Sequence, residues 1–123
     1  MNYKGVIIEE SLSDDSVLKE VITISSRVSK VTEKHRTPWL KQWTLRTVEI
    51  PEDKADEIAE KLSENLEMEH HCWYADYKNN NYHFIVFSEN IFKVDLKNPL
   101  LYQEAKEYGI GLGIPEYQVD FGS

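Results

Sequence analysis

The sequence predicts an α+β fold, a mostly antiparallel sheet with two helices packed on it, in the order β-β-β-α-β-β-β-α. Three observations carry that expectation. Stretches of period-two alternation stand on either side of one strongly helical segment. The later strands are separated by short turn-forming runs, Asn79-Asn80-Asn81 and Ser88-Glu89-Asn90, as a meander requires. Hydrophobic residues make up 41% of the 123 residues, with 3 Trp, 7 Tyr and 4 Phe among them, which is enough for one core of common domain size. Residues 1–123 are therefore expected to form a single domain.

The elements follow in order. Tyr3 to Glu9 opens as a strand through Val6, Ile7 and Ile8, and Ser13-Asp14-Asp15-Ser16 then offers cap chemistry for one or two helical turns through Val17, Leu18 and Val21. From Ile22 the chain alternates, with Ile22, Ile24, Ser26 and Val28 on one side and Thr23, Ser25, Arg27 and Ser29 on the other. That is the pattern of a half-buried strand with one wet face. Thr32 to Gln42 has no clean period and reads as an ordered loop. Trp43 to Ile50 is a third strand whose parity changes between Leu45 and Val48, so it needs either a bulge near Arg46 or apolar cover on both faces.

Pro51, followed by Glu52 and Asp53, suits the start of a helix whose apolar positions are Ala55, Ile58, Ala59, Leu62 and Leu66. The meander comprises Trp73 to Lys78, Tyr82 to Ser88 and Ile91 to Leu96. Its middle strand, apolar on both parities, is expected at the centre of the sheet. Asn98 and Pro99 then cap and open a second helix with a buried stripe of Leu101, Ala105 and Tyr108, ended by Gly109. The tail from Ile114 to Phe121 is apolar enough to dock on the domain.

The formal charge of −8 disfavours nucleic acid and anionic membranes, and no apolar run approaches the length of a membrane span. A single cysteine, Cys72, and an opening Met1 to Gly5 without a signal-peptide core point to a cytoplasmic protein. Charge is unevenly spread. Residues 27–46 hold Arg27, Lys30, Lys34, Arg36, Lys41 and Arg46 against Glu33, a local +5, whereas residues 47–69 carry nine acids against Lys54 and Lys61, a local −7.

The segments Thr37-Pro38-Trp39-Leu40-Lys41-Gln42-Trp43-Thr44, Trp73-Tyr74-Ala75-Asp76-Tyr77-Lys78 and Tyr108-Gly109-Ile110-Gly111-Leu112-Gly113-Ile114-Pro115-Glu116-Tyr117-Gln118 resemble those of a small family of uncharacterised bacterial and archaeal proteins of this length. The resemblance implies a shared fold over nearly the whole chain and carries over no functional position.

Function must therefore be read from the residues. The leading expectation is a non-enzymatic binding or interaction module for an anionic small molecule or an acidic protein surface. Arg36 and Arg46 would supply planar donors, and Trp39 and Trp43 stacking surface. The plainer account buries both tryptophans and lets the basic loop neutralise the acidic helix. The alternative function is a small hydrolytic or metal-assisted enzyme using His70, Cys72, His83 and Asp76. Of these, Asp76 lies among aromatic residues, where a carboxylate becomes a candidate acid or base or else simply bonds a tyrosine hydroxyl or Lys78. Glu69-His70-His71-Cys72 matches no zinc spacing, even with His35 or His83 added, so neither metal nor cofactor is expected. The Gly109-Ile110-Gly111-Leu112-Gly113 run closes a helix rather than opening one, which excludes a phosphate loop.

Overall fold

In the computed structural model, which describes residues 1–30, 40–67, 73–98, 100–114 and 116–119, six strands form one antiparallel sheet. The strands are β1 (Tyr3–Ile8), β2 (Ile22–Lys30), β3 (Gln42–Ile50), β4 (Tyr74–Lys78), β5 (Tyr82–Phe87) and β6 (Asn90–Asp95), with helices α1 (Ala55–Asn65) after β3 and α2 (Leu101–Gly111) after β6. Across the sheet they run β2-β3-β1-β4-β5-β6, so β1 joins the β2–β3 hairpin to the β4–β5–β6 meander. The expected α+β class holds. The helical turn expected after Ser13-Asp14-Asp15-Ser16 is the 3-10 turn Asp15–Lys19, capped by Asp14, which accepts from the Ser16 amide, and further 3-10 turns at Glu9–Ser11, Glu52–Lys54 and Glu116–Gln118 add detail that periodicity does not carry.

The two helices lie on opposite faces. Phe84 and Val86 share a buried cluster with Ala55, Ile58, Ala59 and Leu62 of α1, while Ile85 and Phe87 join Val94 of β6, Ala105 of α2, Ile114 and Val119. Since alternate residues of a strand point to opposite faces, β5 is covered twice. Its five residues from His83 to Phe87 are all buried, as its double-parity pattern predicts. Ser63 of α1 donates its hydroxyl to the Phe87 carbonyl at 2.7 Å, and Tyr77 of β4 donates to the Ala55 carbonyl at 2.6 Å, so both meander strands are tied to α1 by buried bonds.

Several local expectations need correction. Pro51 precedes a 3-10 turn, Glu52–Lys54, and α1 proper begins at Ala55; it ends at Asn65, and Leu66 is buried in extended backbone that bridges Leu12. The β1–β3 register runs unbroken from Tyr3↔Ile50 to Ile8↔Leu45, and the bulge falls on the partner strand, between Thr23 and Ser25 of β2. The parity change in β3 is met by burial at both ends of the strand: Trp43 at its start against Trp73, Val48 and Ile50 at its end in the α1 cluster.

In α2 the structure finds Leu100, with no side-chain cap bond, where Asn98 was expected to cap; Pro99 lies outside the described residues. Leu101 is exposed, and the buried positions are Ala105 and Gly109. Gly109 does not end the helix. A Cβ there would meet Val119 Cγ1 at 2.7 Å, so the residue is small because the tail packs on it. The left-handed residue that follows the helix is Gly113, with φ +93, whose neighbour Ile114 returns its amide to the Gly109 carbonyl.

β2 departs furthest from expectation. Its alternation predicts one buried face, yet eight of its nine residues are exposed on both parities, including Ile22 at 54%, Ile24 at 52% and Val28 at 58%. The strand forms the sheet edge, bonded on one side to β3, and neither helix packs on it.

Candidate functional site

Of the four residues expected to bind an anion, Arg36 and Trp39 lie outside the described residues. Trp43 is buried, with 9% exposed, and its ring lies 5.5 Å from that of Trp73. Arg46 donates from Nε to Glu9 Oε2 at 3.0 Å, with both side chains about one-third exposed. Thr44 donates from its amide and its hydroxyl to Glu10, the latter at 2.7 Å. The guanidinium of Arg46 is thus met by Glu9 of the Glu9–Ser11 turn rather than by the acidic face of α1. That face has its own cations: Lys61 bonds Glu57 and Glu20, and Lys93 lies 3.8 Å from Asp56.

The second group of candidates is divided. His70 and Cys72 lie outside the described residues, but Asp76 and His83 come together on the α2 side of the sheet. The register places Asp76 opposite Ile85 and Lys78 opposite His83, so the carboxylate and the imidazole are diagonal neighbours on one face of β4 and β5. His83 Nε2 and Asp76 Oδ2 are 2.7 Å apart. From the first turn of α2, Tyr102 brings its hydroxyl to 2.7 Å from His83 Nδ1, with the two rings edge to face at 5.5 Å.

The chemistry of this chain is directional. A neutral imidazole whose Nε2–H donates to the carboxylate leaves Nδ1 as an acceptor for the phenol O–H. The His83 side chain is only 4% exposed, so water does not compete for it, whereas the Asp76 side chain is 36% exposed. Burial, and then the negative charge of Asp76, push the Tyr102 phenol above the ordinary tyrosine range.

Tyr102 was missed in the sequence because Gly109 was read as a helix terminator. With α2 continuing to Gly111, Tyr102, Ala105 and Gly109 fall on one face, and that face was the available signal.

A third place is a recess of about 200 Å³ beside the start of α1, bordered by Tyr3, Asp56, Asn81, Tyr82 and Lys93. The ammonium of Lys93 lies 4.6 Å from the centre of the Tyr82 ring and 5.3 Å from that of Phe84, so this cation is engaged by the protein's own aromatic faces. Among the described residues no three His, Cys, Asp or Glu side chains are grouped to hold a metal ion, and no helix is long and apolar enough to cross a membrane.

No family model matches the chain, and neither the curated proteins nor the solved structures yield a match.

Proposed function

We propose that the protein is an interaction module that takes an extended, acidic protein segment as an added strand along β2. The observation that carries this reading is a nine-residue edge strand whose Ile22, Ile24 and Val28 are each more than half exposed. Such an edge is a ready template for another chain, and the bulge and bases of β2 restrict that pairing to a partner of opposite charge. The bulge between Thr23 and Ser25 leaves a regular run from Ser25 to Lys30, paired with Thr47 to Gln42. Within that run Arg27 and Lys30 are exposed and no acid is present, in a chain whose net charge is −8. An acidic partner strand therefore meets complementary charge, with Val28 and Ile24 supplying apolar contact. A small anion bound by Arg46 and Trp43 is the weaker form of the expectation, because the guanidinium already holds Glu9 and the indole is buried. The site of action is the cytoplasm, where the thiol of Cys72 stays reduced.

The test uses a fluorescein-labelled decapeptide alternating valine and glutamate. Binding measured by anisotropy should weaken with added salt and be lost in Arg27→Glu/Lys30→Glu, while the urea midpoint stays unchanged. Peptide binding that survives both this variant and Val28→Glu sinks the reading, as does self-association of the chain through β2 without peptide binding.

A further inference from the structure

We infer that Tyr102 is a nucleophile, with His83 as its base and Asp76 holding that base, and that it accepts an acyl group from small activated esters. This stands apart from the β2 reading: it uses the opposite end of the sheet and none of the same residues.

The geometry meets the requirements of a general-base nucleophile. The attacking group must lie within hydrogen-bond reach of its base, and the base must be oriented by a third group. Here both distances are 2.7 Å. The imidazole is the buried member, packed between β4, β6 and α2, with Asp76 and Tyr102 on its two ring nitrogens; across the strands its neighbours are Lys78 and Val94. The two ends of the chain reach solvent, since the Asp76 side chain is one-third exposed and Tyr102 is half-buried. A network serving packing alone has no need to open at both ends.

Tyr102 also stands where charge can be received. It is the second residue of α2, whose start carries no side-chain cap, and side chains of a helix lean toward its N-terminus. Negative charge that develops at its phenol oxygen therefore lies toward the positive end of the α2 dipole. The phenol is neutral at rest, so its proton leaves during attack rather than before it.

The step balances without a further reagent. The phenol oxygen of Tyr102 bonds to the ester carbonyl carbon as its proton passes to His83 Nδ1. The imidazolium is held through Nε2–H by the Asp76 carboxylate. The C–O bond to the leaving group breaks, and the departing alkoxide takes the proton from His83. Once acylated, the Tyr102 oxygen no longer donates to Nδ1; water entering from the solvent-facing end of Tyr102 takes that place, passes its proton to the imidazole as it attacks the acyl carbon, and releases the acid while the phenol oxygen takes the proton back. Tyr102 and His83 touch the reacting atoms, whereas Asp76 is a positioning residue.

Two probes test this on the full chain. An arylsulfonyl fluoride, which loses fluoride to an activated phenol, should label Tyr102 ahead of Tyr82, although the latter is also open to solvent at 37% exposure. With p-nitrophenyl acetate, a burst of nitrophenolate should accompany acetyl transfer mapped by mass spectrometry to Tyr102. In His83→Gln both rates at Tyr102 should fall about 100-fold, with cooperative urea unfolding retained. Asp76→Asn keeps the shape of the site and serves as the second variant. It should slow both reactions, and Asp76→Glu, which restores the carboxylate, should recover them in part, a difference that packing alone would not produce. Labelling that follows exposure and favours Tyr82, acetyl found only on other residues, or Tyr102 reactivity unchanged in both variants overturns the inference.

Discussion

β5 and β2 are both rich in β-branched and aromatic residues, yet they have opposite fates. β5 is buried on both faces, with Phe84 and Val86 under α1 and Ile85 and Phe87 under α2, whereas β2 leaves Ile22, Ile24 and Val28 in water. The difference is one of neighbours. β5 lies between β4 and β6, with α1 packed on β5 and β6 and α2 on β6, and β2 lies at the far edge beyond β3. Apolar content states that a strand can be buried; its place in the sheet decides whether it is.

The largest test of this contrast is truncation. Phe87 is fully buried among the rings of Tyr74, Phe92 and Tyr108, which meet it tilted or edge to face, so Phe87→Ala should cost about 3 to 5 kcal/mol in urea unfolding. Val28→Ala should change stability by no more than about 0.5 kcal/mol. A comparable loss at both positions would mean that β2 is covered in solution. Trp43, despite lying on the β2 side, belongs with β5 in this respect, and Trp43→Ala should also cost about 3 to 5 kcal/mol.

Alkaline pH probes the α1 side of the contrast. Burial, followed by the charge of Asp56, raises the pKa of Tyr77, whose hydroxyl donates to Ala55. Below about pH 10 both folded and unfolded chains keep this proton. Above it the unfolded chain ionises first, so stability should fall by about 1.4 kcal/mol per pH unit from this group until the folded phenol titrates. Tyr77→Phe should flatten that slope, which urea midpoints between pH 8 and 11 would measure.

Smaller effects separate the glycines of the α2 C-terminus. Gly109→Ala must push against Val119 and Phe87 and should destabilise by about 1 kcal/mol. Gly111→Ala meets nothing within 4 Å and should stabilise by about 0.5 kcal/mol. Arg46→Gln removes a partly screened pair with Glu9 and should cost between about 0 and 1 kcal/mol. Amide exchange completes the comparison, slowest in β5 and fastest in β2.

The site was half legible. Asp76 and His83 were both candidates by residue type, but they are seven positions apart on different strands. Only the β4–β5 register, set by the turn in which Asn79 accepts from the amides of Asn81 and Tyr82, makes them diagonal neighbours. The helix face that Tyr102 shares with Ala105 and Gly109 is legible once α2 runs to Gly111, but nothing local says that this face covers Asp76 and His83. The basic loop misled for a related reason. Residue type marks Arg46 as an anion binder, but whether its anion is a ligand or Glu9 depends on a turn more than 30 residues away.

What the sequence determined alone is whatever depends on neighbours in the chain: the period-two strands, the apolar spacing of α1, the turns of the meander and the double-sided pattern of β5. The tertiary structure decided which strands became edges, which face each helix took, and which polar groups met. Those outcomes rest on contacts between residues far apart in the chain, whose energy appears only when the segments pack, and so no local pattern encodes them.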